Sequence, residues 1–332
     1  MQNNTTAPRL EELISHSFSE LTFNTYLGTI LGSLVCIINL LGVVAMLADR
    51  NLRYRNSCIL ISLITLGYAM CGIGSVLKSA TLLNRLTAKE KPVFTERQCY
   101  FDRVGISIGT EMIVDISFFT AIDRCIAVFA AYLYEKTKRK WWICWQLLIV
   151  VLHVGSAEWR LYQNTSDEPI AVCSILTASD NDTAVELLIE FNILVVATVL
   201  IYLSLIVWIK WSIYKLTRSE RYSTVGRYRK KSKLMLTLTY TVIGYVCTML
   251  VGNTAVILAG KTDDITIASV YLLISCTNSF GGLVHFLILF CRMQEFRFVI
   301  LRLISRESFI GHPKMTSDIL LVSMNTRSVS CQ

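Results

Sequence analysis

The chain has 332 residues, 53% of them hydrophobic and only 17% charged, with a formal net charge of +8. A soluble chain of this size carries about a quarter charged residues, so a soluble globular domain is excluded and the question becomes where the apolar residues lie. Four scattered His, at 16, 153, 285 and 312, and no Cys/His/Asp grouping at metal-ligand spacing argue against an enzyme, and no cofactor, metal or nucleic acid is expected.

In chain order, a polar segment over 1–25 leads into uncharged runs at 21–48 and 56–77. The next apolar stretch, 104–133, is broken by Glu111, Asp115, Asp123 and Arg124. Uncharged runs follow at 141–157, 191–209, 234–260 and 265–291. A bilayer core needs roughly 20 predominantly apolar residues per helix. Most of these runs reach or approach that length, and the short one at 141–157 must borrow 158–161. Their apolar character is continuous, without the alternation of a membrane β-barrel. After the last run, Phe296, Val299, Ile300, Leu303 and Ile304 recur at helical spacing beside Arg297, Arg302 and Arg306, as in an interfacial amphipathic helix.

Basic residues in short loops set the orientation. With the N-terminus outside, the inner loops 50–55, 132–140 and 210–233 hold sixteen Lys and Arg against two acids, Glu135 and Glu220. The outer segments hold seven basic residues against thirteen acids. Every Asn-X-Ser/Thr sequon, at Asn3, Asn4, Asn164 and Asn181, falls on the outer side. Residues 1–25 lack a basic-then-apolar signal peptide, so the first span is expected to direct its own insertion. Of eleven Cys, only Cys99 and Cys173 lie outside or at an outer helix end, which suggests one disulfide.

The expected fold class is an all-α membrane protein, a seven-transmembrane helix bundle with its N-terminus outside and a short amphipathic helix after span 7. Spans are placed near 26–49, 57–83, 99–131, 141–160, 186–211, 233–259 and 265–291, with the amphipathic helix at 294–304. Residues 1–25 are the extracellular N-terminus, 26–304 the membrane domain and 305–332 a cytoplasmic tail rich in Ser and Thr.

Local motifs carry a resemblance. Span 3 ends Ala121-Ile-Asp-Arg-Cys-Ile-Ala-Val128, followed by Tyr134, and resembles the Asp-Arg-Tyr signature of rhodopsin-like G-protein-coupled receptors, with Cys125 in place of Tyr. Cys99 stands 25 residues before Arg124, the family's spacing for its disulfide Cys. Asn39, Leu52-Arg53 and Trp145 resemble family positions in spans 1 and 4 and the first inner loop. Asn56-Ser-Cys-Ile-Leu-Ile-Ser62 and Arg97-Gln-Cys99 look like nematode serpentine chemoreceptors of the srsx type.

The chain also departs from the broader family. Its four Pro, at 8, 92, 169 and 313, all lie outside the spans, so the usual kinks of spans 5 to 7 are missing. Gly282-Leu-Val-His-Phe286 stands where the family has Asn-Pro-x-x-Tyr, span 2 has no acid for a sodium site, and span 6 lacks the Trp-x-Pro switch.

The resemblance implies a receptor that passes an extracellular chemical signal to a heterotrimeric G protein at the plasma membrane, with a receptor kinase and arrestin acting on the tail. Asp123, Arg124 and Tyr134 are then the coupling residues, Asp123 holding the Arg124 guanidinium at rest. Span 6 opens with Lys230-Lys231-Ser-Lys233 and no acid, so the resting lock involves Asp123 and a candidate second partner, Tyr202. Ligand-binding candidates in the outer half are Lys78, Asp102, Ile106, Glu111, Glu186, Glu190 and Tyr271, with Trp159, Tyr245 and Asn253 as further cavity-lining candidates. Ile106 stands where amine receptors have Asp, which argues against a monoamine ligand. Span 7 has no Lys, which excludes a covalent retinal pigment. The His in spans, His153 and His285, read as hydrogen-bonded packing residues. Two rival readings stay open: a seven-helix channel or transporter subunit, and a receptor relative that has lost coupling.

Overall fold

A computed structural model describes residues 7–49, 52, 56–87, 94–130, 139–170, 173, 179, 181–218, 250, 254 and 266–305. Its helices are α1 (Ala7–Ala48), α2 (Asn56–Thr87), α3 (Glu96–Phe129), α4 (Arg139–Gln163), α5 (Asn181–Arg218), α6 (Thr266–Arg292) and α7 (Gln294–Ile304). Two short strands, β1 (Phe94–Thr95) and β2 (Pro169–Ile170), pair antiparallel. Span 6, expected at 233–259, lies outside the described residues except for 250 and 254.

Long helices form because the runs are continuous and contain no Pro, and because a helix satisfies its own backbone where no water can. Stretches at Thr25–Ala48, Cys58–Arg85, Trp141–Gln163 and Asp182–Ser212 are long and apolar enough to cross a membrane, and a shorter apolar stretch spans Ser279–Arg292. The helices overrun the expected spans. α1 begins at Ala7, inside the segment expected to precede span 1, and α5 continues into the basic loop as far as Arg218. At about 1.5 Å per residue, α5 is about 57 Å long, well beyond a hydrocarbon core of about 30 Å.

The side-chain pattern is inverted relative to a soluble bundle. Ile30, Leu34, Ile37, Val44 and Leu47 form an exposed stripe along α1, and Ile189, Ile193, Val196, Leu200, Leu203 and Val207 form another along α5. Meanwhile Asn39, Thr65, Glu111, Asp115, Gln146, Glu158 and His285 are buried. Contiguous apolar surface on this scale is stable only against lipid or a partner, and polar groups in a membrane helix turn to the bundle interior.

Small residues let the first three helices approach closely. A Cβ on Gly72 would stand 2.7 Å from both the Cys36 nitrogen and the Gly32 oxygen of α1. One on Gly109 of α3 would stand 2.6 Å from the Gly67 oxygen of α2. Such backbone proximity is how membrane helices gain packing energy without a hydrophobic driving force. A core of Val35, Leu60, Ile64, Tyr68, Ile113, Val114, Ile116, Val150, Val154, Phe191 and Val195 spans α1 to α5. At the other end, Phe296 and Ile300 of α7 bury against Met46 of α1 and Leu289 of α6. Ile304, expected on that same face, is exposed, as are Phe298 and Leu301.

Candidate functional site

One end of α3 is fixed by local chemistry. Thr95 caps it, its hydroxyl accepting from the Gln98 nitrogen at 3.2 Å while the Gln98 side chain accepts from the Thr95 nitrogen at 3.4 Å. The loop after α4 is laid against this start. The Glu96 nitrogen donates to the Glu168 oxygen and the Arg97 nitrogen to the Ser166 oxygen, each at 3.2 Å. Cys99 and Cys173 are joined in a disulfide beside Leu82.

At the other end of α3, Asp123 and Arg124 are both buried and their side chains pair with each other. Buried Tyr202 of α5 lies within their electrostatic reach. Tyr202 packs in a core cluster with Ala121, Ile61, Met46 and Leu289, contributed by four further helices. A charged pair enclosed this way is costly unless it has a partner or a task. Tyr134 lies outside the described residues.

Polar residues gather on the other half of α3. The Asp115 Oδ2 is 2.8 Å from Nδ1 of His153 on α4, and His153 Nε2 is 2.8 Å from Oε1 of Glu190 on α5. Arg160, two turns along α4, donates to Glu190 Oε2 at 3.2 Å. One turn from Asp115, Glu111 is fully buried and accepts from the Ser107 hydroxyl at 3.3 Å. Glu158 of α4, also buried, is within electrostatic reach of Glu111. The hydroxyls of Ser107 and Tyr100 lie near the Glu158 carboxyl.

The other candidates are dispersed. Lys78 is half-buried on α2, within electrostatic reach of Asp102 and Arg103, and Asp102 accepts from Thr81 at 3.4 Å. Ile106 is buried against α2 at Gly74, where an added Cβ would stand 2.6 Å from the Ile106 nitrogen. Glu186 is exposed, although it shares a helix face with Glu190. Trp159 is 59% exposed and tilted against Tyr162, and Trp145 is 58% exposed, so both look outward from the bundle. The side chain of Tyr271, Tyr245, Asn253, and the sequons Asn3 and Asn4 lie outside the described residues. Asn164 is exposed and donates to Thr183 at 3.0 Å, and Asn181 opens α5.

His153, Glu158 and Arg160 were absent from the sequence candidates. The available signal was spacing, since His153 and Arg160 are seven apart and therefore on one helix face. His285 is a packing residue that also bonds: its Nε2 lies 3.1 Å from the Thr65 hydroxyl and its ring 5.0 Å from that of Tyr68.

Apolar faces turned outward around a polar interior define a multi-pass helical membrane protein. Residues 33–304 match the family model of the serpentine type 7TM GPCR chemoreceptor Srsx, and the chain belongs to that family. A search of curated proteins gave no match.

Proposed function

We propose that this chain is a G-protein-coupled chemosensory receptor of the plasma membrane. It has seven spans and an outer N-terminus, takes an extracellular ligand in its outer half, and passes the signal to a heterotrimeric G protein. The family match over 33–304 supports the receptor class. The observation that carries coupling is the enclosed Asp123–Arg124 pair at the basic-loop end of α3. Arg is suited to this role because its planar fork can exchange one carboxylate for backbone carbonyls of an inserted helix. Tyr134 follows in the adjoining loop, and a Ser- and Thr-rich tail offers sites for a receptor kinase and arrestin. Loop charges and the sequons at Asn3, Asn4, Asn164 and Asn181 support the outer N-terminus.

For the ligand, Lys78, Asp102, Ile106, Glu111, Glu186 and Tyr271 are the proposed contacts. Glu190 is bound up with His153 and Arg160 instead, so its role is to hold the helices that frame the cavity.

The test is basal signalling through a panel of chimeric G proteins, comparing wild type with Arg124→Ala at matched surface level. An N-terminal epitope reports which side that end occupies. Signalling in wild type that drops at least tenfold in the variant supports the reading. Equal signalling in both, or an N-terminus detected only after permeabilisation, overturns it, the latter in favour of a channel subunit.

A further inference from the structure

The junction of α3, α4 and α5 contains an imidazole held between two carboxyl groups. Both ring nitrogens of His153 stand 2.8 Å from carboxyl oxygens, Nδ1 from Asp115 and Nε2 from Glu190. A neutral imidazole has one N–H and one lone pair, and an ionised carboxylate only accepts. With all three groups in their ordinary neutral-pH forms, one contact would set a nitrogen lone pair against an oxygen lone pair at hydrogen-bond distance. One added proton turns both contacts into N–H···O bonds.

Charge balance points the same way. Asp115, Glu190 and Arg160 with a neutral ring sum to one negative charge in a largely apolar setting, while a protonated ring brings the sum to zero. Arg160 already donates to the second oxygen of Glu190, which keeps that group an acceptor, and of the remaining two the imidazole is intrinsically the stronger base, so the ring takes the proton. The surrounding titratable groups reinforce this. Glu111 lies one turn away on α3, Glu158 lies on α4 between His153 and Arg160, and Glu186 lies one turn along α5. All three are acids, and negative charge nearby favours the protonated, positively charged ring.

We propose that Asp115, His153 and Glu190 form a proton-binding site whose occupancy ties external pH to the packing of α3, α4 and α5. The ring is only 24% exposed, and the chain of groups leads along α4 through Glu190 and Arg160, both more than a third exposed. α4 and α5 also share apolar contacts, Ala157 and Leu161 of α4 with Leu187 of α5, and the clasp adds a polar link between them. The sign follows from the proton count. The stabilisation is present while the extra proton is bound and is lost as pH rises past its release. The inference depends on the membrane fold and is independent of G-protein coupling.

The experiment uses the full chain in lipid nanodiscs, labelled with 15N-histidine. There are four His, and the His153 signals are those that change in Asp115→Asn. In wild type at neutral pH both ring nitrogens are expected to read as protonated. In Asp115→Asn the carboxamide can donate to Nδ1, so one nitrogen should read as unprotonated. Thermal midpoints taken from about pH 5 to about pH 10 should fall on the alkaline side in wild type and lose that step in Asp115→Asn. An unprotonated nitrogen on His153 in wild type, or identical pH profiles for the two proteins, overturns the proposal. If Asp115→Asn does not fold, the wild-type spectrum still carries the test, with the His153 signals assigned as those absent in His153→Gln. A coupling-dead receptor with the expected spectrum would refute the signalling role and leave the proton site intact.

Discussion

Glu158 has a buried carboxyl group that faces a second buried acid, Glu111, with only the Ser107 and Tyr100 hydroxyls near it as donors among the described residues. Two like charges in one apolar junction are unfavourable, and two neutral hydroxyls offset little of that cost. The side chain therefore reduces stability. Glu158→Gln should raise the thermal midpoint of the detergent-solubilised protein, by about 1 kcal/mol in stability, since an amide can donate to Glu111 and carries no charge. A fall in midpoint would show instead that the carboxyl group is a structural acceptor. Individual acids were legible in the sequence as candidates, because a charge within an apolar run stands out. Their partners were not. Glu190 and Glu186 share one helix face by spacing, yet among the described residues only Glu190 meets a basic neighbour, since His153 and Arg160 lie opposite it on α4.

Between elements, the decisive contacts are backbone to backbone. The face of Gly72 abuts a nitrogen and a carbonyl oxygen of α1 that cannot rotate away. Gly72→Val must push α1 from α2. The expected result is a loss of at least about 2 kcal/mol, read as a lower midpoint and reduced surface level. Gly155 is the contrast, because among the described residues nothing beyond its own stretch of helix lies within 4 Å of where its Cβ would be. Gly155→Ala should be neutral or stabilising by up to about 1 kcal/mol through helix propensity. If both substitutions behaved alike in the same thermal scan, close approach would not be what distinguishes the two positions. Helices were readable along the chain because an uninterrupted apolar run in a bilayer has little alternative to a helix. Their ends were less so: α1 starts at Ala7 and α5 continues to Arg218, because helix formation does not stop where the hydrocarbon does. Trp145 and Trp159 resist such reading altogether, since an aromatic residue suits both lipid and core, and the structure turns both outward.

For the whole molecule, the disulfide ties the start of α3 to the loop between α4 and α5, across a sequence separation of 74. Hydrogen bonds from Glu96 and Arg97 to that loop, with the β1–β2 pair, make one cover over this end of the bundle. Cys99→Ala should lower stability by about 2–5 kcal/mol, and most of that loss should be reproduced by reducing agent on wild type. A midpoint unchanged by both would mean the cover is held without the bond. The sequence by itself determined membrane residence, the number of apolar runs, the charge asymmetry of the loops and the receptor-like motif at Asp123 and Arg124. These depend on composition along the chain, which needs no knowledge of neighbours. Only the tertiary structure decided which buried groups meet. Asp115, His153 and Glu190 stand 38 and 37 residues apart along the chain. Their meeting depends on how three helices are rotated about their own axes, and that rotation is set by packing across all of them at once.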